Sequence, residues 1–383
     1  MLNASQLASL ENKIRPLATQ ILSPQHVVAL YSSGRLVFLK KFYEERPEAY
    51  KPPAELARTC WNICFRSPIF NAAGMFKNGE GYEMTAAQGA GAHVWGTTTA
   101  AIVKGGRRGN EKEGVFLPFA PYPRSHAASN WLGLPNSGDE AVAARLAAQE
   151  RMYSCPIGVS IMGAPELSGE EKLKKLVEGM KLYERAGVDF IEINESCPNT
   201  HDGRSTYEDM IVRLQYVTKR FLDERLTTMR KRVVPVIVKF STDTQREQIE
   251  PLLVVLFKQG YDGVNFGNTS TAYAEHRAAI HRNEQKLYDY FTTTFGGGVS
   301  GMPLKQRSLE LAASAARYLK AGPPKQEFHV IRTGGIENAS DIRDSDSAGI
   351  SLNEWFTGYF ENFSKYQHNV YRHLYQQYSS GLK

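Results

Sequence analysis
Eight short apolar runs, spaced by longer stretches of helical periodicity, constrain the fold of this chain more than any other feature. They are PIFNAAG (68–74), HVWGTTT (93–99), PIGVSIMG (156–163), DFIEIN (189–194), VPVIVKF (234–240), YDGVNFGN (261–268), FHVIRTGG (328–335) and SLNEWFTG (351–358). Runs that are apolar on both alternating positions suit strands covered on both faces, as parallel strands are. Between them GEEKLKKLVEGMKLYERAG and REQIEPLLVVLFKQG read as helices. Eight strand units joined by helical crossovers predict an α/β fold, a closed (β/α)8 TIM barrel. The structural alternative is an open doubly wound sheet, but no G-x-G-x-x-G follows a strand and opens a helix. The intervals 100–155 and 270–327 exceed simple connections and are expected to cover the mouth of the site.

The first 58 residues follow a different grammar. Leu7, Leu10, Ile14, Leu17 and Ile21 recur at helical spacing, and Leu36, Val37, Phe38, Leu39 and Phe42 are mixed with Arg35, Lys40 and Lys41. This predicts a helical extension over 1–58, ahead of a barrel domain over 59–383. Its second half reads either as a helix packed on the barrel or as a patch lying on a membrane surface. No run of 18 apolar residues occurs and no charged start precedes an apolar signal core, so the expected location is cytoplasmic, with peripheral contact at the inner face of a membrane as the variant. The chain has 383 residues and a formal net charge of +6, which suits an anionic small molecule or a membrane surface. Nucleic acid is not expected, because aromatic–basic stripes are lacking. The four cysteines, Cys60, Cys64, Cys155 and Cys197, are too scattered for a disulfide framework and form no zinc-type pair, so no metal is expected. Cys60 and Cys64 read as packing residues.

In a barrel of this kind the chemistry collects at the carboxyl ends of the strands. Those ends carry Asn71 to Gly74, Gly96 with Thr97, Ser160, Asn194, Lys239, Asn268 with Thr269, Gly334 with Gly335, and Thr357. Lys239 is the most informative. VPVIVK should bury it, and a buried ammonium requires an anionic or strongly accepting partner. Glycines after the seventh strand and a hydroxyl after the eighth are where barrels cradle a phosphate, and GGGVSG (296–301) adds exposed backbone N–H groups.

These motifs together resemble the dihydroorotate dehydrogenases, FMN-containing (β/α)8 barrels of pyrimidine synthesis. The resemblance rests on NAAGMFKNGEGYE, GAHVWGTTTA, SNWLGLPNSG, INESCPNT, VIVKF, GNTST, GGGVSGMPLK, IRTGGI and WFTGYF, in the family's order from about residue 68 to 360. It implies a bound FMN, with Ala72, Ala73 and Gly74 along the flavin ring, Gly96 and Thr97 beside it, and Lys239 near its electron-rich edge. Ser300, Gly301, Gly334, Gly335 and Thr357 would hold the phosphate and its approach. Lys77 and Asn130 would lie near both flavin and substrate. Asn130, Asn194, Asn199 and Asn268 would hold the amide and carboxylate edges of a small anionic pyrimidine, with Thr269 next to them. Two features mix the family's classes. Cys197 stands where the soluble class places a catalytic cysteine, whereas FKNGE and WGTTTA look like the membrane-associated class. Ser160 replaces an asparagine expected on the third strand, and His201 and Asp202 replace a glycine pair.

The resemblance makes dihydroorotate oxidation to orotate the expected activity. A hydride would leave for flavin N5 and a proton for Cys197, since a thiolate is accessible near neutral pH where a serine alkoxide is not. The electron acceptor would be quinone or fumarate: a membrane-touching N-terminal helix pair fits the first, a soluble enzyme with Cys197 the second. Two other functions fit the residues: a related FMN enzyme acting on another pyrimidine-like or ene substrate, and a flavin-free aldolase or lyase using Lys239 as a Schiff base.

Overall fold
The computed structural model describes residues 2–105, 115–195, 207–225, 233–322 and 324–380. The chain starts with two helices, α1 (Ala4–Ile21) and α2 (Pro24–Glu44). Asn3 caps α1: its side-chain oxygen accepts from the Gln6 backbone N–H, and the Gln6 side-chain oxygen accepts from the Asn3 backbone N–H. α2 ends at Glu44; an extended segment with one 3-10 turn, Ala54–Leu56, follows, and then a hairpin of β1 (Arg58–Cys60) and β2 (Ile63–Phe65).

The barrel chain then runs β3 (Ile69–Asn71), α3 (Tyr82–Gln88), β4 (His93–Thr98), β5 (Phe119–Tyr122), β6 (Ala127–Asn130), α4 (Asp139–Ala148), β7 (Ile157–Ile161), α5 (Gly169–Arg185), β8 (Phe190–Asn194) and α6 (Tyr207–Arg220). It continues with β9 (Val236–Phe240), α7 (Ile249–Gln259), β10 (Gly263–Phe266), α8 (Tyr273–Arg277), α9 (Gln285–Thr294), β11 (Gly298–Gly301), α10 (Lys305–Ala321), β12 (His329–Thr333), α11 (Ala339–Ser347), β13 (Leu352–Trp355), α12 (Thr357–Tyr366) and α13 (Val370–Ser380). Each of the eight expected runs contains one strand of a parallel sheet ordered β3-β13-β12-β10-β9-β8-β7-β4. The seam between β4 and β3 is closed by the Asn71 side chain, which donates to Val94 O at 2.7 Å and accepts from Val94 N–H at 3.1 Å, and by Gly74 N–H donating to Gly96 O at 2.6 Å.

Alternation along the strands grades the barrel interior from apolar to polar. At the amino end Phe70, Val94, Phe190, Ile237, Ile331 and Leu352 form one cluster with Trp61, Ile63 and Phe65, so the β1–β2 hairpin plugs the barrel floor. Gly158 makes room for this layer, since a Cβ there would sit 2.2 Å from the Phe190 ring. Two residues further up, the inward positions are Glu192, Lys239, Asn265, Thr333 and Glu354, all buried. Cys60 packs in the floor cluster, whereas Cys64 is exposed, contrary to its expected packing role, because the hairpin turns alternate residues outward.

The two long intervals supply an element not foreseen from the sequence. β6 pairs antiparallel with both β5 and β11, giving a three-stranded sheet built from segments far apart in the chain. Both N-terminal helices pack on the rest of the protein: α1 against α12, and α2 against β5 and α9. α1 is oriented against its own amphipathic pattern. It buries Ala4, Ser5, Ala8, Arg15 and Thr19, while Leu10, Ile14, Leu17 and Ile21 are exposed. No helix among the described residues is long and apolar enough to cross a membrane.

Candidate active site
A cavity of about 690 Å³ opens at the carboxyl ends of the strands and extends to the N-terminal helices. Its inner end is lined by Ala72, Ala73, Gly74, Lys77, Thr97, Asn130, Asn194, Lys239, Asn268 and Thr269. Ser300, Gly301, Gly334, Gly335 and Thr357, expected from the resemblance to hold a phosphate, line it as well. Gly96 does not reach the wall. It sits in the β3–β4 seam with φ +99°, where a Cβ would meet Ser160 O at 2.2 Å. Cys197 and Asn199 lie outside the described residues. The last described residue before them, Glu195, is tied to Arg213 of α6, whose guanidinium donates to Glu195 Oε2 at 2.6 Å.

A chain of side chains orients the substrate end. Asn268 Nδ2 donates to Asn194 Oδ1 at 3.1 Å, and Asn194 Nδ2 donates to Thr97 Oγ1 at 3.0 Å. Thr97 Oγ1 pairs with Ser160 Oγ at 3.1 Å, so the serine at the place of the expected asparagine supports the wall from behind. Thr269 N–H donates to Asn268 Oδ1 at 2.9 Å, which fixes which way that amide faces.

At the ends of β11 and β13, the Ser300 and Thr357 hydroxyls pair at 2.9 Å. Thr357 opens α12, whose first amides have no partner inside the helix and which therefore favours an anion. The Gly334–Gly335 turn is held by Ser308, which donates to Gly334 O at 2.7 Å, and by Arg332. The buried Arg332 guanidinium donates to Ser308 Oγ, Asp341 O, Ser345 Oγ and Lys305 O, and so pins α10 and α11 to the turn. Burial pulls its pKa down to about 10. A Cβ at Gly335, where φ is +69°, would come within 2.5 Å of the Lys305 backbone.

The partner that the sequence demanded for Lys239 is a pair of carboxylates. Lys239 Nζ donates to Glu354 Oε2 at 2.6 Å and to Glu192 Oε1 at 3.3 Å. Burial alone would lower the lysine's pKa, but Glu192 and Glu354 together raise it above the ordinary value. Glu192 is pushed up to about 7, first by burial and then by Glu354. Glu192 and Glu354 were not singled out in the sequence. The rule that picked Lys239, a charge inside an apolar strand, applies equally to DFIEIN and SLNEWF. A lysine held as an ammonium by two carboxylates is a poor amine nucleophile, which argues against the Schiff-base alternative.

The outer end of the cavity is walled by Leu7, Leu10, Ile14, Leu30, Val37 and Phe38. Its polar members, also not foreseen, are Arg15, Glu11, Glu361 and Arg35. Arg15 pairs with Glu361 of α12 and with Glu11 at 2.8 Å.

The barrel places glycine and hydroxyl groups after its last two strands, and an amide-lined wall shares one cavity with a buried lysine. The family model for dihydroorotate dehydrogenase matches residues 55–377, and the chain belongs to that family. It is 27% identical over 349 residues to a dihydroorotate dehydrogenase (quinone) of Aeromonas hydrophila, covering 91% of this chain and 92% of the relative. It is 30% identical over 321 residues to the protein of the same name from Pseudarthrobacter chlorophenolicus, covering 80% and 82%. The crystal structure of the Eimeria tenella dihydroorotate dehydrogenase in complex with ferulenol superposes with a TM-score of 0.74 at 22% identity, covering 92% of this chain and 91% of that one, and shares the fold.

The residues present fit FMN. The cavity is large enough for a mononucleotide, the Ser300–Thr357 pair and the start of α12 suit its phosphate, and Lys239 lines the same cavity as Ala72–Gly74.

Proposed function
We propose that this protein oxidises dihydroorotate to orotate with FMN, and that its terminal electron acceptor is a quinone. When bound, FMN supplies two-electron chemistry by accepting a hydride. The Asn194–Asn268–Thr269 group, with Asn130 and Asn199, holds the amide and carboxylate edges of the pyrimidine, and Lys77 offsets its charge. Cys197, three residues after β8 in the sequence, takes the proton from the neighbouring carbon. Lys239 offsets negative charge at the edge of the ring system.

The observation that carries this reading is the continuity of one cavity from Asn194 and Lys239 to the apolar walls of α1 and α2. An apolar passage of that kind admits a quinone and penalises a dicarboxylate such as fumarate. The outward leucines and isoleucines of α1 support a second part of the proposal, peripheral binding to a bilayer. Leu17 and Ile21 are 57% and 69% exposed, on a helix whose polar residues are the ones that pack. Residues 1–44 then form the part that meets the membrane and the acceptor, and the rest forms the catalytic barrel.

The test is an anaerobic acceptor screen on purified protein. Dihydroorotate should bleach the flavin, and a short-chain quinone, not fumarate, should restore its colour. Bleaching by another pyrimidine or an ene substrate but not by dihydroorotate would overturn the substrate assignment. Recolouring by fumarate alone would overturn the acceptor.

A further inference from the structure
The buried polar layer beneath the strand ends places two carboxyl groups, Glu192 and Glu354, on one lysine. Glu354 Oε2 accepts from Lys239 and lies 2.9 Å from Thr333 Oγ1. That same hydroxyl, with one proton to give, also lies 2.9 Å from Asn265 Oδ1. Asn265 Nδ2 donates to Glu192 Oε2 at 2.7 Å. Glu354 Oε1 is buried with no donor, while both carboxyl groups meet the same Lys239 ammonium. A buried carboxylate oxygen left without a donor is costly unless the group takes a proton, so the layer has a place for one proton beyond those its side chains bring.

We propose that Glu192 and Glu354 act as one proton-accepting carboxyl pair around Lys239, taking up a proton from solvent when negative charge arrives on a flavin bound at the strand ends. The proposal rests on the flavin reading above. The hydride from substrate brings two electrons and one proton, which leaves one added negative charge, and the proton bound by the pair balances it. Reoxidation returns that proton to solvent. With both carboxyls ionised, the layer carries Lys239 and two carboxylates, a net charge of −1. With one proton bound it is neutral. The charged groups acting most strongly on Glu192 are Glu354 and Lys239, and those acting on Lys239 are Glu192 and Glu354. Asn265 and Thr333, from the neighbouring strands, are neutral. The elevated Glu192 pKa, at about 7, places the uptake in the neutral range. Both glutamates are positioning residues: they act through Lys239.

Spectroelectrochemical titration of the holoenzyme across pH tests this. Each additional coupled proton steepens the fall of a two-electron midpoint potential by about 30 mV per pH unit. Wild type should show that extra slope around neutrality. Glu354→Gln, which keeps the shape but leaves only Lys239 and Glu192 charged, should lose the extra slope. Its midpoint should lie above wild type at alkaline pH and converge with it at acid pH. Glu192→Gln should do the same, because the proton belongs to the pair, and it stands in if Glu354→Gln does not fold. Infrared spectroscopy supplies a readout that needs neither substrate nor flavin: wild type at neutral pH should show a buried, protonated carboxyl band that either substitution removes. Equal slopes in wild type and variant, or the absence of that band from wild type, would overturn the proposal. A flavin-bound protein with equal slopes leaves the catalytic reading standing, whereas a protein unable to bind FMN defeats that reading on its own.

Discussion

Asn268 on the loop after β10 donates its side-chain amide to Asn194 at the end of β8, across 3.1 Å, and so couples two strand ends into one recognition surface. Asn268→Ala should remove one of the hydrogen bonds that hold Asn194 and leave a pyrimidine edge without its partner. A lost hydrogen bond of about 1–2 kcal/mol corresponds to roughly a 5- to 30-fold weaker orotate complex. Orotate titration followed by the flavin absorbance measures it. Unchanged affinity would remove Asn268 from the substrate site.

Ser300 and Thr357 meet at 2.9 Å at the opening of α12, where a phosphate would find hydroxyls and helix amides together. Thr357→Asp places a carboxylate in that position. Repulsion between it and the phosphate should cut the flavin content of purified protein at least tenfold, with the circular dichroism spectrum preserved. A yellow variant with full flavin content would show that the phosphate lies elsewhere.

The barrel was legible because its strands are buried on both faces, which writes each of them as a compact apolar run ending in a polar residue or glycine. The β5–β6–β11 sheet was not. Its strands are four residues long, one of them carries Pro121, and β6 finds β11 only after more than 160 intervening residues. Local pattern has no access to that pairing. The orientation of α1 was hidden for another reason: an amphipathic stripe states that an apolar face exists, not whether protein, ligand or lipid covers it. Most of the expected site residues gather on one cavity because the barrel brings every strand's carboxyl end to the same side. Gly96 shows that a glycine at a strand end can serve the backbone seam, a use that sequence alone does not separate from ligand contact.

Asp139, at the start of α4, is buried and accepts from the Tyr183 hydroxyl at 3.0 Å, while its Oδ2 has no partner. Burial raises its pKa to about 6. The folded state therefore binds this proton more tightly than the unfolded chain, whose aspartate titrates near roughly 3.9. Its contribution is fully present below about pH 4 and is lost as pH rises to about 6. The loss should be on the order of 3 kcal/mol. Asp139→Asn, lacking the titration, should gain on wild type by that amount over the same interval. Denaturant unfolding of both proteins from pH 4 to 7 checks it. A constant difference between them would rule out Asp139 as the titrating group.

Leu17 and Ile21 are exposed on α1 and do not line the cavity, so they separate membrane contact from catalysis. The pair Leu17→Glu and Ile21→Glu should abolish cosedimentation with phospholipid vesicles. Turnover with a quinone embedded in those vesicles should fall severalfold. Flavin bleaching by dihydroorotate should stay at the wild-type rate. Equal vesicle binding by the variant would show that this face does not meet lipid. Deleting both helices is a poorer test, because Val27, Val28 and Phe42 are fully buried against the rest of the protein and their loss would expose its core.

Cys197 follows β8 by three residues and is the residue proposed to take the substrate proton. A thiol must first ionise to act as a base, and an ordinary cysteine does so near about pH 8.5. Anaerobic flavin reduction by dihydroorotate should therefore rise with pH and level off once the thiolate is formed. Cys197→Ala should slow it roughly a hundredfold or more, the scale of a lost general base. Orotate affinity should change little, because Asn130, Asn194 and Asn268 still line the pocket. Cys197→Ser should keep partial activity and shift its rise to higher pH, since a serine hydroxyl needs another group to remove its proton. Stopped-flow bleaching of the three proteins across pH distinguishes these outcomes. An alanine variant that reduces its flavin at the wild-type rate, with the same pH profile, would show that the proton leaves by another residue.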